Sequence, residues 1–424
     1  MEDLSRKLTH HLDLYATHHP FSGVALIGRG EEIIFQKAYG LADRISGRAN
    51  TLDTPFPIAS LSKAFTALLC LEVCQQAGIT PSQSAGALLP GFVSLSPDIS
   101  LHHLLSHSSG LPDYRVKGEQ PLHEIFANLL TPQEFWQQLG TVEQKSAPGE
   151  AFHYCNPGYY LLGLIIERLS GKSFGAALQD ILLQPLGLAQ TGLDDPEHPP
   201  ANRARPYDYK GGEIIEAPFT DARNFYPQGG LYSTVADLHR WAGAHGIASS
   251  VPGRHQAQLF SPVIHSSVPR DIYYGYGWHR LTRHGKACVG HGGSHWGYRS
   301  HLEYYPESGW HAIVLSNYGF QDATKVADQL MQICFGLAVP EPQQPKPWTG
   351  PLEEMRPFLG RYGSETYQIE IQYRAEQYVL LSPQGETELL PMAPGKFRHV
   401  FYDEPFEVQE KAGKLYFWGM PKIS

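Results

Sequence analysis

The chain has 424 residues, enough for two or three domains of ~150 residues or for one large core with an appendage. Asp and Glu number 42 against 33 Lys and Arg, a formal net charge of -9 with no Lys/Arg run, which argues against a nucleic-acid partner. Apolar residues make up 42% and aromatics 12%, as in a globular enzyme, and the longest apolar stretches, such as Tyr159 to Ile166, fall far short of the ~20 residues that span a bilayer, so no membrane insertion is expected.

The N-terminus, Met1 to Lys7, carries early acids and no apolar core. It does not read as a secretory signal, and the expected compartment is the cytoplasm. An amphipathic helix over Leu4 to Tyr15 leads to two apolar runs, Val24 to Ile27 and Ile33 to Phe35, around the turn Arg29-Gly30-Glu31, which predicts a β-hairpin. A helix follows Ser60; it is apolar nearly all round through Val73, hence buried, and Gly78 marks its stop. Residues Pro81 to Ala151 mix helical patterns with turn signals, including Ser109-Gly110-Leu111-Pro112. A second strong helix runs from Pro157 to Gly171, with Asn156 expected at its N-cap and Pro157 at its first helical position.

Strands are predicted over Tyr273 to Leu281, Ala287 to Val289, Ser300 to Tyr305 and Trp310 to Leu315, then a helix from Asp322 to Phe335. Strands at both ends with helices between imply an α+β domain whose antiparallel sheet joins N- and C-terminal segments around a mostly helical part. The proline-rich stretch Val339 to Pro347 reads as a semi-rigid spacer. Beyond it, short alternating strands with turns at Pro383-Gln384-Gly385 and Ala412-Gly413 predict a small all-β domain. The expected division is 1–337, a linker over 338–350, and 351–424. The sequence does not choose whether the last part caps a cleft, supports an oligomer or binds a partner.

The chemistry concentrates in three places. Ser60 is the only serine that lies three residues before a lysine, Lys63. On a helix, positions i and i+3 share a face, so hydroxyl and amine become neighbours, and a desolvated lysine is one way to activate a serine. Tyr154-Cys155-Asn156 is the only Tyr-x-Asn. His291-Gly292-Gly293-Ser294 places small residues where a strand edge approaches a ligand. Five cysteines without a CxxC pair argue against a disulfide framework, and Cys70 and Cys74, one turn apart, are expected in the core. Cys155 is expected to pack rather than react. His103 and His107 have the i, i+4 spacing of zinc proteases, but Leu104 stands where HExxH needs glutamate, so no metal is expected.

Ser-x-x-Lys, Tyr-x-Asn and a basic residue-x-Gly, in this order, resemble the serine β-lactamase and penicillin-binding-protein superfamily. The nearest flavour is the class C β-lactamase-like branch with its esterases and D-amino-acid peptidases. The stretches Leu104 to Tyr114, Gly229 to Thr234 and Gly290 to Gly293 resemble that branch too, and the likeness covers roughly residues 15 to 335.

The resemblance implies a serine hydrolase in which Ser60 carries the acyl group, with Lys63 or Tyr154 as general base. Lys63, ordinarily near pKa ~10.4, would need burial to act near neutrality. The two protons are coupled, so sequence alone assigns neither as the base. The backbone N–H groups of Ser60 and Ser294 would form an oxyanion hole, Asn156 would orient Lys63, and His291, Gly292 and Gly293 would edge the substrate site. Trp296, Tyr298 and Tyr114 are candidate pocket walls. No cofactor is implied. The expected substrate is a small ester, amide or D-amino-acid peptide. Penicillin-recognising relatives often carry Lys-Thr-Gly in the third motif; His291-Gly292-Gly293 offers neither a permanent cation nor a hydroxyl, which disfavours a β-lactamase or DD-carboxypeptidase unless Arg299 compensates. A non-catalytic penicillin-binding-like sensor is the third reading, disfavoured by intact Ser60, Lys63 and Tyr154.

Overall fold

The computed structural model describes residues 2–423 except 93–94, 114–121, 138–143, 211, 246–252, 262, 345, 364–367, 383–384, 400–405 and 418–419. Tyr114 and the Pro383-Gln384 half of an expected turn lie outside the described residues.

Helix α1 (Glu2–His18) precedes the expected hairpin of β1 (Gly23–Arg29) and β2 (Glu32–Tyr39). Then come the buried helix α2 (Ser62–Gln76) and helix α3 (Asn156–Ser170), which ends on a left-handed Gly171. Six further strands follow: β3 (Ile264–Ser267), β4 (Ile272–Tyr274), β5 (His279–Arg283), β6 (Lys286–His295), β7 (Tyr298–Tyr305) and β8 (Trp310–Ser316). Helix α4 (Ala323–Cys334) closes the series, capped by the Asp322 side chain.

Among the described residues these strands form one antiparallel sheet in the order β3-β4-β5-β6-β7-β8-β1-β2. The two ends of the α+β part meet where β1 pairs with β8, Gly23 opposite Ser316 and Arg29 opposite Trp310. Because strand side chains alternate, β1 feeds two cores. Val24 and Leu26 join Ile313 and Leu315 against α2, whose Ala64 to Cys74 stretch supplies much of the larger core. Ala25 and Ile27 join Ala312 and Val314 on the other face, under Leu8 and Leu12 of α1 and Val326 and Leu330 of α4. The sheet is thus covered on both faces, and α2 is shielded from water by the sheet on one side and α3 on the other.

Two expected strands change. The run read as one strand over 273–281 breaks after Tyr274, because Gly277 turns at φ 76° against α2, where a Cβ would stand 2.6 Å from the Lys63 carbonyl oxygen. The strand read as Ala287 to Val289 continues to His295, since its pairing with β7 runs on through Gly292 opposite His301 to His295 opposite Tyr298. His291 therefore sits inside the sheet.

Residues 337–349, where described, hold no helix or strand. The chain beyond is sheet-rich: six strands from Gly360–Gly363 to Phe406–Glu407 and three more from Gln409–Lys411 to Met420–Pro421. They enclose a separate cluster that includes Met355, Tyr362, Ile371, Phe397 and Phe417, with Trp348 packed against it. On this separation of cores we propose the three-part division at 338–350. No helix among the described residues is long and apolar enough to cross a membrane.

Candidate active site

Ser60 stands at a bend that the surrounding backbone forces. Ala59 adopts φ 48°, a left-handed conformation rare for a residue with a Cβ, before a 3-10 turn over Ala59–Leu61 runs into α2. The bend is gripped on both sides. Ile58 donates its N–H to the Leu231 carbonyl at 2.8 Å, and its own carbonyl accepts the Ser300 hydroxyl at 2.6 Å. Gly293 of β6 passes so close that a Cβ there would fall 2.2 Å from the Ile58 oxygen and 3.1 Å from the Ala59 Cβ. Gly293 is therefore what lets the strand edge reach the serine turn.

Lys63, one helical turn on, is fully buried, and its amine lies 3.2 Å from the Ser60 Oγ. It also donates to the Asn156 Oδ1 at 2.8 Å and to the Gln228 carbonyl at 2.7 Å. Burial drives its pKa down to about 7, a shift the Asp113 carboxylate opposes. The amine therefore shares its proton near neutral pH, where an exposed lysine would hold it. Tyr154 hydrogen-bonds Ser60, and its ring centre lies 4.9 Å from the Lys63 amine. Desolvation raises the phenol well above its ordinary range, the Ser60 hydrogen bond opposing, so Tyr154 is a neutral phenol near pH 7.

The Tyr154–Asn156 loop is held by residues whose roles the sequence left open. The His107 carbonyl accepts the His153 N–H at 2.8 Å, and its Nδ1 accepts the Cys155 N–H at 3.1 Å. That bond puts the imidazole proton on Nε2, which has no hydrogen-bond partner among the described residues. The ring is buried against Tyr154, Tyr159 and Tyr274, with centroids 4.3, 4.9 and 4.8 Å away. Burial, with Lys63 and two further histidines, holds His107 well below the usual imidazole range. His103 does something unrelated: with Ser100 it forms a capping box at the start of its short helix.

Asn156 departs from the expected cap. Cys155 occupies the N-cap of α3, its sulfur accepting the Gly158 N–H at 3.3 Å, and Asn156 is the first helical residue. The reason is Asp113, which takes the Asn156 N–H at 3.0 Å and also binds its side-chain nitrogen, so the side-chain oxygen faces Lys63. Cys155 is buried, and burial pushes its thiol up to about 12, so it packs as expected. Cys70 and Cys74 are buried too, their sulfurs 3.9 Å apart and unbridged.

His291, Gly292, Gly293 and Ser294 line a groove of about 430 Å3 together with Ser60 and Tyr154. The structure thus gathers all eight candidate residues, with Asn156 reached through Lys63. His291 is 4% exposed and held well below the usual imidazole range by burial, with His279 and Lys63 adding to it. Its Nδ1–H donates to the Gly292 carbonyl at 2.6 Å, and its Nε2 accepts the Tyr274 hydroxyl at 3.1 Å. This histidine brings no cation to the groove. Arg299 also lines it, with one guanidinium nitrogen engaged by the His295 and Tyr298 carbonyls. Of the suggested pocket walls, Trp296 flanks Ser60, whereas Tyr298 is buried in the core and donates to the Ala204 carbonyl at 2.7 Å. Sequence reasoning missed Asp113, Gln228 and Tyr274. Asp113, beside the Ser-Gly-Leu-Pro turn, lay in a stretch singled out for its resemblance, and Tyr274 lay inside a predicted strand.

A profile of the beta-lactamase family matches residues 8–335. The chain belongs to that family, as the ordered motifs implied. It is 28% identical over 383 residues to penicillin-binding protein 4 of Amycolatopsis lactamdurans, which covers 83% of this chain and 96% of that protein. It is 28% identical over 249 residues to esterase EstB of Burkholderia gladioli, covering 51% of this chain and 63% of that protein. The crystal structure of a penicillin-binding protein from Bacillus halodurans matches with a TM-score of 0.62 at 28% identity, over 75% of this chain and 97% of that one.

Proposed function

We propose that the protein is a serine hydrolase that acts through an acyl-enzyme on Ser60. The observation that carries this reading is the contact between Ser60 and a buried Lys63 whose pKa lies at about 7. A lysine in that state takes a proton at neutral pH and returns it. The esterase and penicillin-binding proteins among its relatives support the same class of chemistry.

The arrangement supports the following steps. Neutral Lys63 takes the Ser60 proton as Oγ bonds the substrate carbonyl carbon. The resulting oxyanion is held by the backbone N–H groups of Ser60 and Ser294, a contribution typically worth several kcal/mol of barrier. When the bond to the leaving oxygen or nitrogen breaks, Tyr154 gives that atom its proton and takes one from the Lys63 ammonium, so both return to neutral. Water then enters by the reverse route: Tyr154 and Lys63 take its proton, its oxygen bonds the acyl carbon, and Ser60 leaves reprotonated. Asn156 keeps the amine aimed at Ser60.

The substrate is a small ester, or an amide or D-amino-acid peptide without a β-lactam-type carboxylate. The neutral, doubly engaged His291 supports this preference, because a carboxylate gains little from an uncharged imidazole. The test is one panel. Wild type and Ser60→Ala are treated with a fluorophosphonate and a fluorescent penicillin, then assayed on short-chain nitrophenyl esters, D-alanine anilide and a chromogenic cephalosporin. Labelling and ester or anilide turnover by wild type alone is expected. Cephalosporin turnover rivalling the best ester would reverse the substrate preference, and an unlabelled wild type would leave a non-catalytic scaffold.

A further inference from the structure

Two recesses adjoin the groove, and among the described residues they share no lining residue. The smaller, about 180 Å3, contains Ser60, Asn156 and Ser294 and is walled by Phe126, Phe225 and Trp296. The larger, about 340 Å3, contains Tyr154, His291 and Gly292 but not Ser60. Its walls include Phe152, Ile272, Leu281 and Cys288.

The proposed chemistry assigns these two spaces. The substrate carbonyl must sit at Ser60, and the proton that frees the leaving group comes from Tyr154. The leaving group therefore points to the Tyr154 side and the acyl chain to the side of Asn156 and Ser294. Resting on the serine-hydrolase reading, we infer that the wider recess beyond Tyr154 and His291 is the leaving-group subsite. It selects short-acyl esters or amides of bulky, uncharged, largely apolar alcohols or amines.

The charges at the wider recess fit an uncharged group. Arg283 and Glu303 both line it, but they pair with each other at 2.7 Å, and Glu303 is 1% exposed and receives the Tyr305 hydroxyl as well. His279 is kept neutral by burial, its pKa down at about 4. Arg270, which also contributes to the lining, is exposed to water. Leu281 faces the recess between His279 and Arg283 because the side chains of β5 alternate.

A pair of constitutional isomers tests this. Phenethyl acetate carries its bulk on the alcohol; methyl hydrocinnamate carries the same atoms on the acyl side. Both release simple primary alkoxides of similar basicity, so intrinsic reactivity does not separate them. Wild type is expected to prefer phenethyl acetate at least tenfold in kcat/KM. Leu281→Trp, which fills the wider recess, should bring that ratio toward one, and Phe225→Ala, which widens the other, should lower it by raising hydrocinnamate turnover. General damage to the fold would lower both rates and leave the ratio alone. Should Leu281→Trp fail to fold, Leu281→Ala must still shift the ratio. Hydrolysis with a ratio of one or below overturns this inference and leaves the hydrolase standing, as would a preference for an alcohol bearing a carboxylate. Fluorophosphonate labelling with no turnover of either isomer overturns the substrate class. Absence of labelling removes the hydrolase reading, and this inference with it.

Discussion

The Asp113 carboxylate holds Asn156 at two points, taking its backbone N–H at 3.0 Å and its side-chain amide at 3.2 and 3.3 Å. With the amide nitrogen committed to Asp113, only the Asn156 oxygen can face Lys63, which it meets at 2.8 Å. Asp113 therefore sets both the geometry and the charge around the amine. Its anion raises the Lys63 pKa against the larger effect of burial. Asp113→Asn is expected to move the acid limb of the pH profile of kcat/KM to lower pH and to reduce kcat by about 10²-fold through misplacement of the amine. A limb that stays in place or moves up would show that Asp113 does not act through Lys63.

Removing the amine separates activity from stability. Ser60→Ala and Lys63→Met should each lower kcat/KM by on the order of 10⁴-fold or more while leaving the circular dichroism spectrum native. In the folded chain burial brings Lys63 down to about 7, against about 10.5 for an exposed lysine. Between those values the unfolded state binds the extra proton and the folded state does not. Wild-type stability relative to Lys63→Met should therefore fall as pH drops from about 10.5 to about 7, then level off below. Urea titrations at several pH values read this directly; wild type gaining stability relative to Lys63→Met on acidification would contradict the buried, depressed amine.

Gly293 is a matter of space, since a Cβ would overlap the Ile58 oxygen and the Ser300 hydroxyl. Both belong to the hydrogen bond that secures the serine turn, so neither yields cheaply. Gly293→Ala is expected to cost about 1–3 kcal/mol of stability and to reduce kcat/KM more than Gly292→Ala does. At Gly292 the nearest atom to a Cβ is 3.6 Å away, an ordinary contact. Equal effects at the two positions would remove the close-approach argument.

His107 combines a left-handed backbone, φ 56°, with the acceptor that fixes the Cys155 N–H. His107→Ala loses the acceptor and keeps the strained backbone. His107→Asn restores an oxygen acceptor in a residue that tolerates this conformation. Ala should lower kcat at least tenfold with little change in KM, because Tyr154 loses its alignment; Asn should recover part of that. A KM effect without a kcat effect would place His107 in binding instead.

The sequence by itself determined the class of the molecule. Residue identity at a few fixed spacings is local information: Ser60 and Lys63 meet because a helix brings i and i+3 together, and the two-residue period of β1 already divides Val24 and Leu26 from Ala25 and Ile27. The order of the three motifs carried the fold, and the apolar all-round character of α2 foretold its burial. What the tertiary structure alone decided lies in contacts between distant segments. Asp113, and not a capping role, turns Asn156 toward Lys63, 93 residues away along the chain. The Gln228 carbonyl reaches Lys63 from 165 residues away, and Tyr274 completes a neutral His291. Strand boundaries failed where long-range contact overrode local pattern, as at Gly277 against the Lys63 carbonyl. The amine's displaced pKa belongs to the same category, because it comes from exclusion of water by the assembled sheet and helices, and no local spacing encodes that.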